Sequence, residues 1–253
     1  MNGDFLSLLS SNPFSGLTVG ENCPQLLEAT TVFAFHFSEG VVMAGDHRAT
    51  AGNVVFSDRT EKIIELDNQS LIAIAGSPAV AFEMARTLQT TFEFYRRSQL
   101  QVLSLPAKVR ALSRLLRDNL PGTLQGVGAV APLFAGREPD GDSPPGIYYY
   151  DPLGAQFEAA GYAASGSGSG SIRSVLHYLT QWGNPRPEKR DRGEAINLAN
   201  RLLLTAAQFD TATGGVDPSR QVFATIRLLT ADGIHTVTEK EQAAAWKKGG
   251  AND

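Results

Sequence analysis

The order in which strand-like and helix-like segments follow one another restricts the fold of this chain more than any other feature of its sequence. Short segments rich in Val, Ile, Phe and Thr, separated by turns that contain Gly, predict a first group of strands. These strands are Thr30–Phe37, Gly40–Asp46, Val54–Phe56, Lys62–Leu66 and Ser70–Ala75. Apolar residues at helical spacing then predict one helix over Ala79–Arg97 and another that follows an N-cap at Ser104.

The second half of the chain repeats this order. Strands are predicted at Gly126–Phe134, Gly146–Tyr150 and Gln156–Ala164, helices at Gly170–Gln181 and Gly193–Gln208, and final strands at Gln221–Leu229 and Ile234–Thr238. Each group of strands has to bury one face, and the paired helices can cover the outer faces. We therefore predict an α+β protein built as a four-layer αββα sandwich. A doubly wound parallel sheet would alternate single strands with single helices, which this chain does not do.

Composition and charge argue against several classes of function. Hydrophobic residues make up 42% of the 253 residues and charged residues 19%, which is ordinary for a globular protein. The net charge of -4 argues against a nucleic-acid binder that relies on bulk electrostatics. Cys23 is the only cysteine, which excludes an intrachain disulfide and fits a reducing compartment, so we expect a cytoplasmic protein. No stretch approaches the ~18 consecutive apolar residues of a membrane span.

The N-terminal segment Met1–Ala29 contains neither Lys nor Arg, so it lacks the basic region with which a signal peptide begins. Two interpretations remain open, a loosely packed terminus and a propeptide that ends at Ala29. We predict the second, with a propeptide at residues 1–29, a catalytic domain at 30–239 and a C-terminal tail at 240–253 that is partly helical at best.

Three residues that could take part in catalysis follow Thr30 at defined positions in the sequence. Asp46 follows at +16, Lys62 at +32 and Gly76 at +46. A threonine hydroxyl is a poor nucleophile unless a base takes its proton, and cleavage before Thr30 would give it an α-amine as that base. Taken singly, these residues are more typical of a strand, a turn and a surface ion pair, so the joint spacing carries the functional interpretation.

Five short sequence motifs occur in a fixed order along the chain. They are Thr-Thr-Val at 30–32, Gly-Val-Val-Met-Ala-Gly-Asp-His-Arg-Ala-Thr at 40–50, Ala-Pro-Leu-Phe-Ala-Gly at 131–136, Gly-Ser-Gly-Ser at 166–169 and Asp-Thr-Ala-Thr-Gly-Gly at 210–215. Through them the chain resembles the proteasome β-subunits, which are N-terminal nucleophile hydrolases, and most closely the actinobacterial type. The resemblance covers nearly everything from Thr30 to about Thr238.

The resemblance implies a threonine endopeptidase that cleaves unfolded polypeptides after autocatalytic removal of its propeptide. It also implies heptameric β-rings, flanking rings of α-subunits and an ATP-dependent unfoldase as partners. No metal and no organic cofactor is implied, and neither nucleic acid nor a membrane is expected as a partner.

The resemblance also implies a role for each matching residue. Thr30 would be the nucleophile and, through its α-amine, its own base, since the pKa of an α-amine is ordinarily near ~7.7–8.0. Lys62 would favour the ionised hydroxyl, and Asp46 would pair with its buried ammonium. The backbone N–H of Gly76 would bind the oxyanion. Three further residues would hold the amine and relay protons: Ser167, Asp210 and Thr213.

The residues that match the family's pocket for the side chain before the scissile bond are small or apolar and carry no charge. They are Ala49, Thr60, Ile64, Ile74 and Pro78. An apolar substrate residue is therefore expected, because a charged one would enter this pocket unpaired. Two positions depart from the family pattern: Ala29 stands where Gly is usual before the nucleophile, and Thr213 where Ser is usual.

Thr31 is a rival for the nucleophile, since Asp46 and Lys62 follow it at +15 and +31. A shift of one residue in a strand turns the side chain to the opposite face, so Thr31 would point away from Lys62. Thr30 is therefore predicted to be the nucleophile. His47 is assigned no role, since the family mechanism needs no histidine.

Alternatives remain for the Gly-Ser run and for the whole chain. Residues 166–171 are open to interpretation as a flexible linker or a phosphate-binding turn, but a tight turn that presents Ser167 near Thr30 suits the sequence best. For the whole chain, the alternatives are an inactive ring subunit, a homo-oligomeric hydrolase without α-rings, and a nucleotide-binding α/β protein.

Overall fold

The computed structural model describes residues 30–51, 54–125, 128–139 and 143–250. The predicted propeptide, residues 1–29, lies outside this part of the chain. In chain order the strands are β1 (Thr31–Phe37), β2 (Gly40–Gly45), β3 (Ala49–Ala51), β4 (Val54–Ser57), β5 (Ile63–Asp67), β6 (Ser70–Ala73), β7 (Leu133–Gly136), β8 (Gly146–Tyr150), β9 (Gln156–Ala159), β10 (Tyr162–Gly166), β11 (Thr225–Thr230) and β12 (Gly233–Thr236).

The helices cover the remaining regular structure. They are α1 (Pro78–Gln99), α2 (Leu105–Asp118), α3 (Leu120–Leu124), α4 (Ser169–Trp182), α5 (Arg192–Phe209) and α6 (Glu239–Gly250), with 3₁₀ turns at Pro187–Lys189 and Pro218–Arg220. Across the described ranges, no helix has the length and apolar character needed to cross a membrane.

The strands form two five-stranded antiparallel sheets and a separate hairpin. The first sheet has the order β10-β1-β2-β11-β12, and the second has the order β5-β6-β7-β8-β9. The hairpin pairs β3 with β4. The strands before the first helix pair are thus divided between the sheets, which the linear order of elements does not indicate.

Alternation along β1 divides its side chains between two apolar clusters. Val32 and Ala34 lie in a cluster that also contains Leu71 and Leu133 of the second sheet. Phe33 and Phe35 lie in a different cluster, as expected for successive residues of a strand. The first sheet is therefore buried on both faces.

The two outer faces are covered by helices. The first sheet's outer cluster contains apolar residues of α4, α5 and α6, such as Leu176, Leu202 and Ala245. The second sheet's outer cluster contains residues of α1 and α2, such as Leu88 and Leu112. Helix, sheet, sheet and helix follow one another, which confirms the predicted α+β sandwich of four αββα layers.

Three sequence predictions of strands were wrong. The segment Gln156–Ala164 is two strands in different sheets, since the chain leaves β9 of the second sheet and enters β10 of the first. Of the strand predicted at Gly126–Phe134, only Leu133 and Phe134 lie in a strand, β7. Val130 makes an isolated bridge to Gly76. Residues 126–127 lie outside the described residues. The strand predicted to begin at Gln221 begins instead at Thr225, the first residue of β11. A 3₁₀ turn ends at Arg220, and Gln221 has a φ of 58°, which is not a strand conformation.

The C-terminal segment was predicted to be a tail that is partly helical at best, and the helix α6 covers most of it. Thr238 and Glu241 cap its start reciprocally: the Thr238 N–H donates to Glu241 Oε2, and the Glu241 N–H donates to Thr238 Oγ1. Gln242 is buried and donates to the Ala224 carbonyl, while Ala245 packs into the outer cluster of the first sheet. This tertiary packing stabilises a segment whose sequence is only weakly apolar.

Candidate active site

Thr30 directly precedes β1, beside the Gly-Ser turn at the end of β10. Antiparallel pairing sets Thr31 opposite Gly166. The Ser167 N–H donates to the Thr30 carbonyl at 3.1 Å, which extends this pairing by one residue. Thr30 is 5% exposed. The structure thus brings Ser167 to Thr30, as the tight-turn interpretation of the Gly-Ser run predicts.

The alternation of β1 separates the two threonines. Thr31 falls on the same face as Phe33, which packs toward the helices, and Thr30 falls on the same face as Val32, toward the second sheet. The Cβ atom of Lys62 lies on that second side, 3.8 Å from where a β-carbon on Gly45 would stand. This placement favours Thr30 over Thr31 as the partner of Lys62.

Lys62 and Asp46 form a buried ion pair. The Lys62 Nζ atom lies 2.7 Å from Asp46 Oδ1, and the exposed fractions of the two side chains are 3% and 0%. The same ammonium donates to the backbone carbonyl of Arg48. Because a buried ammonium without partners would be costly, these two acceptors account for the position of the lysine.

Backbone donors complete the surroundings of the Asp46 carboxylate. Its Oδ1 atom accepts from the Thr31 N–H at 2.9 Å, and its Oδ2 atom accepts from Arg48 at 3.0 Å and from Gly214 at 2.8 Å. With Lys62, the carboxylate therefore has four donors, and its buried charge is satisfied. Sequence reasoning missed Arg48 and Gly214 here, because both act through backbone groups that carry no side-chain signal.

The charge state of Lys62 is set by two opposing effects. Burial lowers the pKa of Lys62, because the charged form loses water, and the carboxylate of Asp46 works against that shift by favouring the ammonium. The net effect is a pKa below the ordinary value for lysine. The site therefore combines a desolvated cation with the anion that keeps it charged.

A second carboxylate, Asp210, gathers the remaining predicted polar residues. Its Oδ2 atom accepts from Ser167 Oγ at 2.6 Å and from Thr213 Oγ1 at 2.5 Å, and its Oδ1 atom accepts from the Ala212 N–H at 3.0 Å. Burial by itself raises the pKa of Asp210, but these hydrogen bonds and the charge of Lys62 outweigh it, so the pKa is lowered. Asp210 is thus held as an anion.

Gly76 has a backbone geometry that suits an N–H donor. Its φ is 101°, and a β-carbon there would lie 2.2 Å from the Ala129 carbonyl oxygen, so only glycine fits. Gly76 forms an isolated antiparallel bridge with Val130. On either side of it, the Ser77 N–H donates to the Ala129 carbonyl, and the Ala131 N–H donates to the Ala75 carbonyl. In such a pair the central residues use neither N–H between the strands, so the Gly76 N–H points away from Val130.

The predicted pocket residues lie on several elements. Ile64 and Ile74 both contact the apolar cluster beneath α1, and the Ile74 N–H donates to the Lys62 carbonyl at 2.8 Å. Ala49 begins β3, Thr60 precedes β5, and Pro78 begins α1. The structure brings the two isoleucines together next to Lys62, and a pocket shared by all five residues stays a prediction.

Thr31 has polar contacts that sequence reasoning did not anticipate. Its Oγ1 atom lies 2.6 Å from Thr213 Oγ1 and accepts from the Gly168 N–H at 3.0 Å. His47, to which no role was assigned, has its Nδ1 atom 3.2 Å from Thr225 Oγ1. The alternation of side chains along β1 is the one sequence signal for the position of Thr31, because it predicts that this side chain faces away from Lys62.

Two antiparallel sheets packed face to face between helix layers, with a threonine at the start of the first strand, define the fold class of the N-terminal nucleophile hydrolases. The family model described as Proteasome subunit matches residues 27–217. The chain therefore belongs to the proteasome subunit family.

The β-subunits of several actinobacteria are among its relatives. Proteasome subunit beta 2 of Thermomonospora curvata is 40% identical over 220 residues, which cover 87% of this chain and 76% of the relative. Proteasome subunit beta of Acidothermus cellulolyticus is 35% identical over 242 residues, covering 93% and 81%. The Streptomyces griseus subunit of that name is 35% identical over 245 residues, covering 94% and 84%. These relatives support a β-subunit of the peptidase kind, and membership of this family implies assembly with other proteasome subunits.

Proposed function

We propose that this chain is the catalytic β-subunit of a proteasome core particle and that it cleaves peptide bonds with Thr30. The observation that supports this most strongly is that an ion pair and a separate carboxylate meet at the start of β1. The Lys62–Asp46 pair lies on the second-sheet side of Thr30, and the Asp210 anion with its hydroxyl donors lies beside the Gly-Ser turn.

The proposed site becomes reactive only after the chain is cut between Ala29 and Thr30. The cut removes residues 1–29 and frees an α-amine on Thr30, and an α-amine with a pKa near ~7.7–8.0 is partly neutral at physiological pH. A neutral amine can take the proton of its own residue's hydroxyl. Thr30 is then both nucleophile and base, and no histidine is needed.

In the proposed reaction, Thr30 Oγ1 attacks the carbonyl carbon of the scissile peptide bond as the amine removes its proton. The Lys62 ammonium stabilises the negative charge that develops on that oxygen, and the Gly76 N–H donates to the oxyanion. Loss of one oxyanion donor typically costs about 2.7–4 kcal/mol in the transition state. The protonated amine returns its proton to the leaving group, and water then hydrolyses the acyl-enzyme ester.

Ser167 is proposed to hold the amine. Its hydroxyl proton is donated to Asp210 Oδ2 at 2.6 Å, so its oxygen is left with lone pairs that can accept from the amine. Its backbone N–H donates to the Thr30 carbonyl. Two contacts to one residue would orient the amine with respect to the hydroxyl, which is how positioning lowers a reaction barrier.

The proposed assembly follows from the family. We propose heptameric β-rings that stack with rings of α-subunits in the cytoplasm, with an ATP-dependent unfoldase that supplies unfolded polypeptides. Apolar substrate residues before the scissile bond are favoured by the uncharged pocket residues beside Lys62, of which Ile64 and Ile74 contact one apolar cluster.

Intact-mass measurement of the purified full chain, combined with a peptide hydrolysis assay, tests the proposal. The wild type is expected to lose residues 1–29 and to hydrolyse an apolar peptide substrate. Thr30→Ala is expected to keep the segment and to be inactive. Thr180→Val is the matched control, because it removes a threonine hydroxyl that bonds the Leu176 carbonyl within α4. Hydrolysis by an unprocessed wild type, or by Thr30→Ala, would overturn the proposal.

A further inference from the structure

Thr31 is the residue of β1 whose polar contacts the proposed reaction leaves unused. It is fully buried, at 0% exposure, in a strand that otherwise buries apolar side chains. Its hydroxyl contacts Thr213 Oγ1 at 2.6 Å and the Gly168 N–H at 3.0 Å, and its own N–H donates to Asp46 Oδ1. A buried hydroxyl in a strand has to be satisfied, and this one is satisfied by groups of the candidate site.

The number of available protons fixes the direction of these hydrogen bonds. The Thr213 hydroxyl has a single proton, which it donates to Asp210 Oδ2 at 2.5 Å. The contact between the two threonine oxygens must therefore use the proton of Thr31, so Thr31 donates and Thr213 accepts. The donors run in one direction, from the Gly168 N–H through Thr31 and Thr213 to the carboxylate of Asp210.

The Gly-Ser turn fits closely around these two hydroxyls. A β-carbon on Gly168 would lie 2.7 Å from Thr31 Oγ1 and 2.5 Å from Thr213 Oγ1, so any side chain there would displace them. Thr31 therefore ties β1 to the turn that carries Ser167. Its N–H is at the same time the amide that joins Thr30 to Thr31, and Asp46 holds that amide from the other side.

We propose that Thr31 is a positioning residue for the Thr30 nucleophile, because it links the Asp46 and Asp210 carboxylates through its amide and its hydroxyl. The proposal rests on the function proposed above. Thr31 does not touch the reacting atoms. It fixes the rotation of the peptide that follows Thr30 and supplies the proton that orients Thr213 toward Asp210. A misplacement of about 1 Å at such a position can cost about 100-fold in rate.

The test compares Thr31→Val, which keeps the shape and the strand preference, with Thr31→Ser, which keeps the hydroxyl. Both are made in the full chain beside the wild type, Thr30→Ala and the control Thr180→Val. Intact mass gives the fraction of subunits that begin at Thr30, and kcat and KM for an apolar peptide are expressed per processed subunit.

A positioning role predicts that Thr31→Val lowers kcat by about 10- to 100-fold with KM changed less than about threefold, and that Thr31→Ser stays within about fivefold of wild type. An unprocessed Thr31→Val beside a processed Thr31→Ser also supports the role, because self-cleavage uses the same alignment. Thr31→Val with wild-type kcat, or equal losses in both variants, would overturn it.

The proposed function can fail separately from this inference. A wild type without activity, or an active Thr30→Ala, overturns the proposed function and the role of Thr31 with it. An active wild type, an inactive Thr30→Ala and an unchanged Thr31→Val overturn only the role of Thr31. An inactive Thr31→Val beside an active Thr30→Ala would instead identify Thr31 as the nucleophile.

Discussion

Two buried lysines of this chain each meet an aspartate at 2.7 Å, Lys62 with Asp46 and Lys108 with Asp67. Lys62 lies between the sheets, hydrogen-bonded to Asp46 and to a backbone carbonyl. Lys108 is fully buried on α2, and its contact with Asp67 is an ion pair without hydrogen-bond alignment. Its Nζ atom lies 5.8 Å from the centroid of the Phe92 ring. Distance alone does not distinguish the two pairs.

The surroundings of the two carboxylates do distinguish them. Asp46 is 0% exposed, and three backbone N–H groups donate to it besides Lys62. Asp67 is 23% exposed, and its other oxygen accepts from Gln69 and Ser70 within its own turn. The first pair is held from two sheets and a distant loop beside a threonine, while the second joins a helix to the end of a strand. A buried lysine–aspartate pair is therefore a candidate catalytic feature only when a nucleophile stands next to it.

The largest expected effect separates the two lysines by activity. Lys62→Met should lower kcat/KM by about 1,000-fold or more, because the charge that stabilises the developing alkoxide is lost. Lys108→Met should leave kcat/KM per folded molecule within about twofold, since its ammonium lies under α1 and away from Thr30. Peptide hydrolysis by both variants at matched folded concentrations checks this. An active Lys62→Met, or an inactive but folded Lys108→Met, would contradict the assignment of different roles to the two lysines.

A second effect concerns stability. Lys108→Met should lower the free energy of unfolding by about 3 kcal/mol, because removing one partner of a buried pair leaves the other charge uncompensated. The loss lies at the low end of the usual range because Asp67 is partly exposed and keeps two other donors. Denaturant unfolding followed by circular dichroism measures it. Arg86→Met, which removes an exposed i,i+3 ion pair on α1, is the control and should change stability by less than about 1 kcal/mol.

The smallest expected effect is a pH dependence that comes from Asp210. The pKa of Asp210 is lowered from the ordinary value of 3.8, so its contribution to stability is fully present above that pH and is lost as pH falls toward the folded-state pKa. The stability difference between wild type and Asp210→Asn should therefore shrink as pH falls from 6 to 3 in denaturant titrations. A difference that grows over this range would contradict the lowered pKa.

The sequence predicted the layers of the fold because strand and helix periodicities are local signals. It did not predict which sheet a strand joins, and the segment Gln156–Ala164 shows why. It was predicted as one strand, but β9 pairs with β8 and β10 pairs with β1, and the identity of the partner strand leaves no local trace. The extent of helix α6 was underestimated for a similar reason, since its stability comes from packing on α5.

Parts of the site were predictable to different degrees. The spacing of Asp46, Lys62 and Gly76 after Thr30 is visible in the sequence. The resemblance to the family added Asp210 and its two hydrogen-bond donors, Ser167 and Thr213. The backbone donors of Arg48 and Gly214 were not predictable, because they depend on where the chain passes and not on side-chain type. Lys108 gave no signal either, since a single lysine on an amphipathic helix is typical of a solvated face.

The most direct test of the central claim is to locate the nucleophile by covalent capture. The full chain is allowed to react with an apolar peptide that carries a carbonyl electrophile, then digested, and the modified residue is identified by tandem mass spectrometry. An adduct is expected on Thr30, only in chains that begin at Thr30, and little or none is expected in Lys62→Met. An adduct on Thr31, or on chains that still carry residues 1–29, would contradict it.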